Sequence, residues 1–137
     1  MEPDPAVALT RFFSWWRRSA PRTTHPSASV SALDCLDVDG PQRITDLAAA
    51  ERITQPGMSA LVTRLAADGL VTRAADPDDG RVALVSITGV GRDALAATRA
   101  ARSDELRRRL AALTDAERHA LDAAVPALNR LTSGDTL

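Results

Sequence analysis

The feature that most constrains this chain is a change of hydrophobic period at Gly69. Upstream, Met58, Leu61, Val62 and Leu65 recur at helical spacing. Downstream, Leu70-Val71-Thr72-Arg73 and Val82-Ala83-Leu84-Val85-Ser86-Ile87 read as two strands, parted by Asp76-Pro77-Asp78-Asp79-Gly80, a strong turn signal. Thr54 is placed to N-cap the helix, Pro56 is tolerated in its first turn, and Gly69 suits a left-handed C-cap. A helix that runs directly into a hairpin leaves few folds open.

The flanking elements are helical. Residues 6–19 carry one apolar stripe, Leu9, Phe12, Phe13 and Trp16, and a Pro/Ser/Thr/Arg loop follows it. A short helix holds Val30, Leu33 and Leu36 and stops near Asp39-Gly40-Pro41, and a third starts near Thr45 with Leu47 and Ala48. After Thr88 a long helix has Leu95, Leu106, Leu110 and Leu113 as its apolar positions. Thr114-Asp115-Ala116-Glu117 is a capping box for a last helix bearing Leu121, Val125, Leu128 and Leu131, which Pro126 should kink or split. A single winged domain cannot bury both terminal stripes, so they are expected to pack across a two-fold axis as a dimer interface.

Composition narrows the class. The 137 residues fit one domain, and 45% hydrophobic with 3% aromatic content gives an aliphatic core. All 17 basic residues are arginine, which reads as codon usage; the net charge of −1 neither supports nor excludes a nucleic-acid partner, because clustering on one face is what matters. The lone Cys35 forms no intrachain disulfide, no apolar run spans a membrane, and Met1-Glu2-Pro3-Asp4-Pro5 is no signal peptide, so a cytoplasmic protein is expected.

The order helix–helix–helix–hairpin–helix carries the function. On a helical wheel the face opposite Met58, Leu61, Val62 and Leu65 is Pro56, Ala60, Thr63 and Ala67, flanked by Ser59 and Arg64. Such small residues let a helix approach base edges; Gln55 can pair with adenine and Arg64 with guanine or phosphate. The same face would also suit an ordinary amphipathic helix.

The stretch from Ile53 to Arg73, followed by Asp76-Pro77-Asp78-Asp79-Gly80-Arg81, Val85-Ser86-Ile87-Thr88 and Gly91, resembles the recognition helix and wing of the MarR family; the spacing Asp79…Arg81…Thr88…Gly91 is its most specific part. The resemblance implies a mainly α fold with a small β-hairpin wing, a winged helix-turn-helix with a helical dimerisation region from both chain ends. It implies a single domain over 1–137, with 6–29 and 89–137 as dimerisation helices and 30–88 as the DNA-binding part. It further implies a homodimeric transcriptional regulator, a repressor on a near-palindromic double-stranded operator, released in many members by a small aromatic ligand or by oxidation. The DNA-binding set is Thr54, Gln55, Pro56, Ser59, Thr63, Arg64, Arg73, Asp79 and Arg81; the dimer-interface set is Leu9, Phe12, Phe13, Trp16, Leu121, Val125, Leu128 and Leu131. Gly80 departs from the family, which often has a basic residue there. Arg81 either reaches a groove itself or only braces Asp79.

The remaining signals read as structural. Asp34 and Asp37 beside Cys35 would hold its thiol protonated, against a redox role. His25, His119 and Cys35 make no zinc spacing, and no cofactor or metal is expected. Arg107-Arg108-Arg109 reads as a solvated face or as partners for Asp104 and Glu105, and Trp15 and Trp16 as packing rather than a ligand cage. No nucleophile–base pair or phosphate loop points to an enzyme. The competing reading is a winged-helix protein-interaction module without DNA binding, favoured if residues 55–64 and the wing form a negative patch.

Overall fold

The computed structural model describes residues 3–133. Its elements are α1 (Pro5–Ser19), α2 (Ser27–Asp39), β1 (Gln42–Arg43), α3 (Ile44–Glu51), α4 (Gln55–Ala67), β2 (Val71–Ala75), β3 (Ala83–Ile87), α5 (Gly89–Leu110) and α6 (Asp115–Ser133). They form two compact units that part within α5, after Ala101. The architecture is mainly helical with a small antiparallel sheet, as the sequence implies.

In the first unit, α2, α3 and α4 close on the sheet and the start of α5. Leu33 and Leu36 of α2, Leu47 of α3, Met58, Val62 and Leu65 of α4, Val85 of β3 and Leu95 of α5 are all buried in one core. The turn between α3 and α4 is closed by Arg52 in the left-handed region (φ 53°), with Ile53 N–H donating to the Ala48 carbonyl at 3.0 Å. That geometry satisfies the last carbonyls of α3, and Thr54 then caps α4 through the Gly57 N–H at 3.2 Å. Gly69 (φ 74°) ends α4, with Leu70 N–H on the Leu65 carbonyl at 2.9 Å. A Cβ is poorly tolerated at such a φ, which is why glycine stands there.

The sheet differs from the expected two-stranded hairpin. Its order is β1-β3-β2, with Gln42 opposite Val85 and Arg43 opposite Leu84, so a two-residue strand before α3 covers the outer edge of β3. β2 begins one residue later than expected and runs on to Ala75, because pairing with Ala83 extends the ladder to the turn.

β1 also supplies a brace. Arg43 Nε donates to Asp76 Oδ2 at 2.8 Å and its Nη2 lies 2.6 Å from the same oxygen, while Asp78 N–H donates to Oδ1 at 2.8 Å. Asp76 is buried at the end of β2. The Asp78 amide, then Arg43 and the Asp79 amide, hold its carboxyl below the ordinary aspartate value against an opposing desolvation.

Where β3 meets α5, Thr88 Oγ1 donates to the Gly69 carbonyl at 2.6 Å and accepts Gly91 N–H at 3.0 Å, and Thr88 N–H donates to the Leu70 carbonyl at 3.0 Å. Gly91 packs so closely there that a Cβ would lie 2.2 Å from the Leu70 carbonyl oxygen and 2.8 Å from Ile87 Cγ1. Farther along α5, Arg99 pairs with Asp34 and Asp37, and Arg92 with Asp37, tying α5 to α2.

The second unit holds the end of α5 and α6. The capping box forms as expected, with Thr114 N–H on Glu117 Oε2 at 2.8 Å and Glu117 N–H on Thr114 Oγ1 at 3.3 Å. One expectation fails here, and of the kink or split expected at Pro126 the split does not occur. α5 stops at Leu110, so Leu113 lies in the turn rather than on the helix. α6 runs through Pro126 without a split. Proline removes one N–H, but the carbonyl it deprives belongs to exposed Asp122, where water can take its place. Arg107 pairs with Asp104, and Arg108 and Arg109 with Glu105, so this basic run is occupied on its own helix.

Two outcomes are expected. Gly91→Ala must push against backbone at Leu70 and should cost about 1–3 kcal/mol, read as a thermal midpoint lower by on the order of 5–10 °C; an unchanged midpoint would contradict the close approach. Asp76 has a folded-state pKa below its unfolded value, so its contribution is present above the ordinary aspartate range and is lost as pH falls through the lower folded value. Asp76→Asn should therefore be less stable than the parent at neutral pH, with the gap closing below about pH 4 in thermal melts across that range.

Candidate nucleic-acid interface

α4 is amphipathic because its four buried residues, Met58, Leu61, Val62 and Leu65, recur at helical spacing against the core. The opposite face follows from that: Gln55, Pro56, Ala60, Thr63, Arg64 and Ala67 are exposed, and Ser59 is half-buried at the edge facing the sheet. Thr54 is exposed at the N-cap. From Thr54 to Ala67 the sequence contains no acidic residue and one arginine.

The hairpin begins three residues beyond α4. Its turn is organised by two aspartates: Asp76 anchors the base, and Asp79 Oδ1 accepts Arg81 N–H at 3.1 Å at the tip. The same Asp79 oxygen lies 3.2 Å from Arg81 Nε, yet the Arg81 side chain remains 91% exposed. A pair so open to solvent contributes less than about 1 kcal/mol. Arg81 thus touches Asp79 through Nε, and most of its side chain is open to solvent.

Arg73, which the family resemblance places in the wing, is exposed and also bonded to α4. Its Nη2 donates to Thr63 Oγ1 at 3.0 Å and reaches the Ser59 carbonyl at 3.4 Å, while the Thr63 hydroxyl donates to that carbonyl at 2.9 Å. The structure therefore brings Ser59, Thr63 and Arg73 together. It sets Arg64 on the open face of α4 and Asp79 with Arg81 at the wing tip.

Sequence reasoning missed one residue that holds this surface in place, Arg43, and gave no physical role to two others. Arg43 braces Asp76 from 33 positions away, a pairing no local pattern reveals. Thr88 and Gly91 were legible only as signature positions, and their hydrogen bonds and close packing give the physical reason. Asp76 did carry a signal, since an aspartate before proline in a turn commonly accepts a backbone N–H two residues on.

The surroundings of Cys35 favour its protonated thiol. Partial burial and its Sγ–H contact to Asp39 at 3.6 Å, with the charges of Asp39, Glu51 and Asp34, push the thiol up to about 11. Asp39 and Glu51 act here instead of the expected Asp37. Among the described residues no cluster could hold a metal ion, and no helix is long and apolar enough to cross a membrane.

Phe12, Trp15 and Trp16 pack on one another along α1, with Phe12 and Trp16 rings stacked 6.4 Å apart. Separately, a cleft of about 250 Å³ opens between the loop after α1 and α5, lined by Arg22, Thr23, Thr24, His25, Ala94 and Thr98 among others.

The comparisons agree with this geometry. The MarR family model matches residues 26–83, from the start of α2 to the start of β3. A Pseudomonas aeruginosa protein described as a transcriptional regulator is 32% identical, with 95% of this chain and 91% of that one covered and a TM-score of 0.74. A second from the same organism is 30% identical over 90% and 92% of the two chains, with a TM-score of 0.60. BpsR of Bordetella bronchiseptica, whose DNA binding is regulated by 6-hydroxynicotinic acid, shares the fold at 24% identity, 96% and 95% coverage and a TM-score of 0.61. No curated protein gives a sequence match. By its helix-turn-helix, its braced wing and its kinship to these regulators, the chain belongs to the MarR family of transcriptional regulators.

Proposed function

We propose that this protein is a homodimeric regulator that binds a near-palindromic DNA duplex, with α4 in the major groove and the hairpin tip against the adjacent backbone or minor groove. One observation carries the reading: the exposed face of α4 bears no acidic residue and adjoins a hairpin that holds Arg81 out into solvent. A protein-docking module would be favoured by a negative patch there. Of the wing's three aspartates Asp76 is paired with Arg43 and Asp79 with Arg81, while Asp78 is exposed. In this reading Thr54, Gln55, Pro56, Ser59, Thr63 and Arg64 face the groove, and Arg81, set by Asp79, meets phosphate. Occupancy of an operator would exclude polymerase, which makes repression the simplest consequence.

The dimer reading rests on apolar surface. On α6 Leu121, Val125, Leu128 and Leu131 are all exposed, Leu131 by 69%; on α1 Phe13 is 65% exposed and Phe12 42%, with Leu9 and Trp16 half-buried. Covering such side chains gives about 1.5–3 kcal/mol each, and a second copy is the partner that covers both stripes. The cleft beside Arg22 and His25 suits a small aromatic acid, the class of molecule that regulates BpsR. A ligand there would lie against α5, close to where α5 pairs with α2, and could shift the recognition helices apart.

The test is titration of duplex DNA flanking the protein's own gene, with half-site centres expected about 34–36 Å apart. Affinity should fall steeply with salt as phosphate contacts release counterions, and an affinity indifferent to salt would remove the DNA reading. Arg81→Ala should weaken binding to every sequence and lower the salt slope by about one phosphate equivalent with little change in stability. If Arg81 only braces Asp79, the variant loses stability and keeps its slope. Sedimentation should show a dimer at micromolar concentration, and Leu128→Asp should shift it toward monomer; a parent protein that is a well-folded monomer would sink the dimer.

A further inference from the structure

The clamp between the wing and α4 changes what each of its residues can do on DNA. In the sheet register Val71 faces Ile87 and Arg73 faces Val85. Cross-strand partners emerge on the same side of a sheet, and successive residues alternate sides. Val71, Val85 and Ile87 are buried, so the Arg73 side chain springs from the core side of the wing, not its outer side. From there its guanidinium runs to the edge of α4 and donates to Thr63 Oγ1 and toward the Ser59 carbonyl.

Thr63 is thereby left with its methyl group and a single oxygen lone pair. Its hydroxyl hydrogen is given to the Ser59 carbonyl at 2.9 Å, and one oxygen lone pair is taken by Arg73 at 3.0 Å. A hydroxyl has only one hydrogen to donate, so this one cannot bond a purine N7, a guanine O6 or a thymine O4. Thr63 is nonetheless exposed, and its oxygen is engaged by the carbonyl four residues back, which makes the methyl the part free to meet a partner. In the major groove the apolar counterpart of a threonine methyl is the C5-methyl of thymine.

We infer that Arg73 is a positioning residue and that, by holding the hydroxyl of Thr63, it makes Thr63 a reader of a thymine methyl group. The inference rests on the proposed entry of α4 into the major groove. It assigns the two residues separate tasks: Arg73 fixes the angle between wing and helix and the rotamer of Thr63, and Thr63 determines one base in each half-site.

The probe is a duplex selected by the full-length protein from a random pool and then resynthesised with deoxyuridine replacing single thymidines, which deletes only the methyl. For the parent protein, one position per half-site should lose about fourfold in affinity, the equivalent of one buried methyl. Thr63→Ser keeps the hydroxyl and its clamp but lacks the methyl; it should bind with a normal salt slope and show no deoxyuridine penalty at that position. Arg73→Ala removes one of the two bonds that hold the hydroxyl and leaves only the one to the Ser59 carbonyl; it should weaken the thymine preference while its salt slope stays unchanged. Tight binding with no deoxyuridine penalty anywhere, or a full penalty retained by Thr63→Ser, overturns the methyl assignment and leaves DNA binding standing. A fall of about one in the salt slope of Arg73→Ala, or an unaltered thymine preference in that variant, overturns the positioning role. If selection enriches no duplex at all, the DNA-binding reading and this inference fail together.

Discussion

The junction of Thr88 and Gly91 with Gly69 and Leu70 is the constraint on which the rest of the first unit depends. Within a few residues it fixes the end of α4, the entry to β2, the exit from β3 and the start of α5. Thr88 alone bonds three of these: the Gly69 carbonyl, the Leu70 carbonyl and the Gly91 amide. Gly91 lets the backbone of α5 lie almost on that of Leu70. The end of α4 is thereby tied to the start of the hairpin by backbone contacts, to which Arg73 adds a side-chain bond from β2 to Thr63. A surface that must match the spacing between a groove and its flanking phosphates needs that rigidity.

The far end of the wing is held by a different kind of interaction, and the contrast is functional. At the base of the turn Asp76 is buried and fully engaged by Arg43 and backbone amides. Removing one partner there leaves a buried charge uncompensated, so the pair cannot be exchanged for an outside ion. At the tip, Asp79 and Arg81 meet in solvent. Such a contact holds Arg81 in an extended pose without committing it, and phosphate can replace the carboxylate at little cost. The wing is stiff where it must keep its shape and exchangeable where it must meet a partner.

Much of this was legible in the sequence, because its signals were local. The helical run Met58–Leu65, the cap at Thr54, the left-handed Gly69 and the turn Asp76–Gly80 each declare themselves within a few residues, and all four appear as expected. What escaped was non-local or non-periodic. β1 is two residues long and polar, so it shows no alternation; only pairing with β3 makes it a strand. Arg43 finds Asp76 through that pairing. Arg73 read as a wing cation because its chemistry is visible in sequence while its side of the sheet is not: the register with Val85 turns it inward. Pro126 read as a break because propensity counts the lost hydrogen bond and ignores how exposed the orphaned carbonyl is.

The net charge of −1 hides the arrangement that matters for a polyanionic partner. Arg92 and Arg99 are spent on Asp34 and Asp37, Arg107, Arg108 and Arg109 on Asp104 and Glu105, and Arg118 on Asp115. These pairs neutralise the helical surfaces of α2, α5 and α6 locally, so they add little field at a distance. Arg64 and Arg81 stand on the α4 face and at the wing tip, where Arg81 meets the exchangeable Asp79. A protein with no overall attraction for DNA can in this way present cations at one face. Non-specific adhesion stays weak because the total charge is near zero. In the DNA-binding reading proposed above, phosphate contacts then supply the salt-dependent part of affinity, and the small polar surface of α4 supplies the choice of sequence.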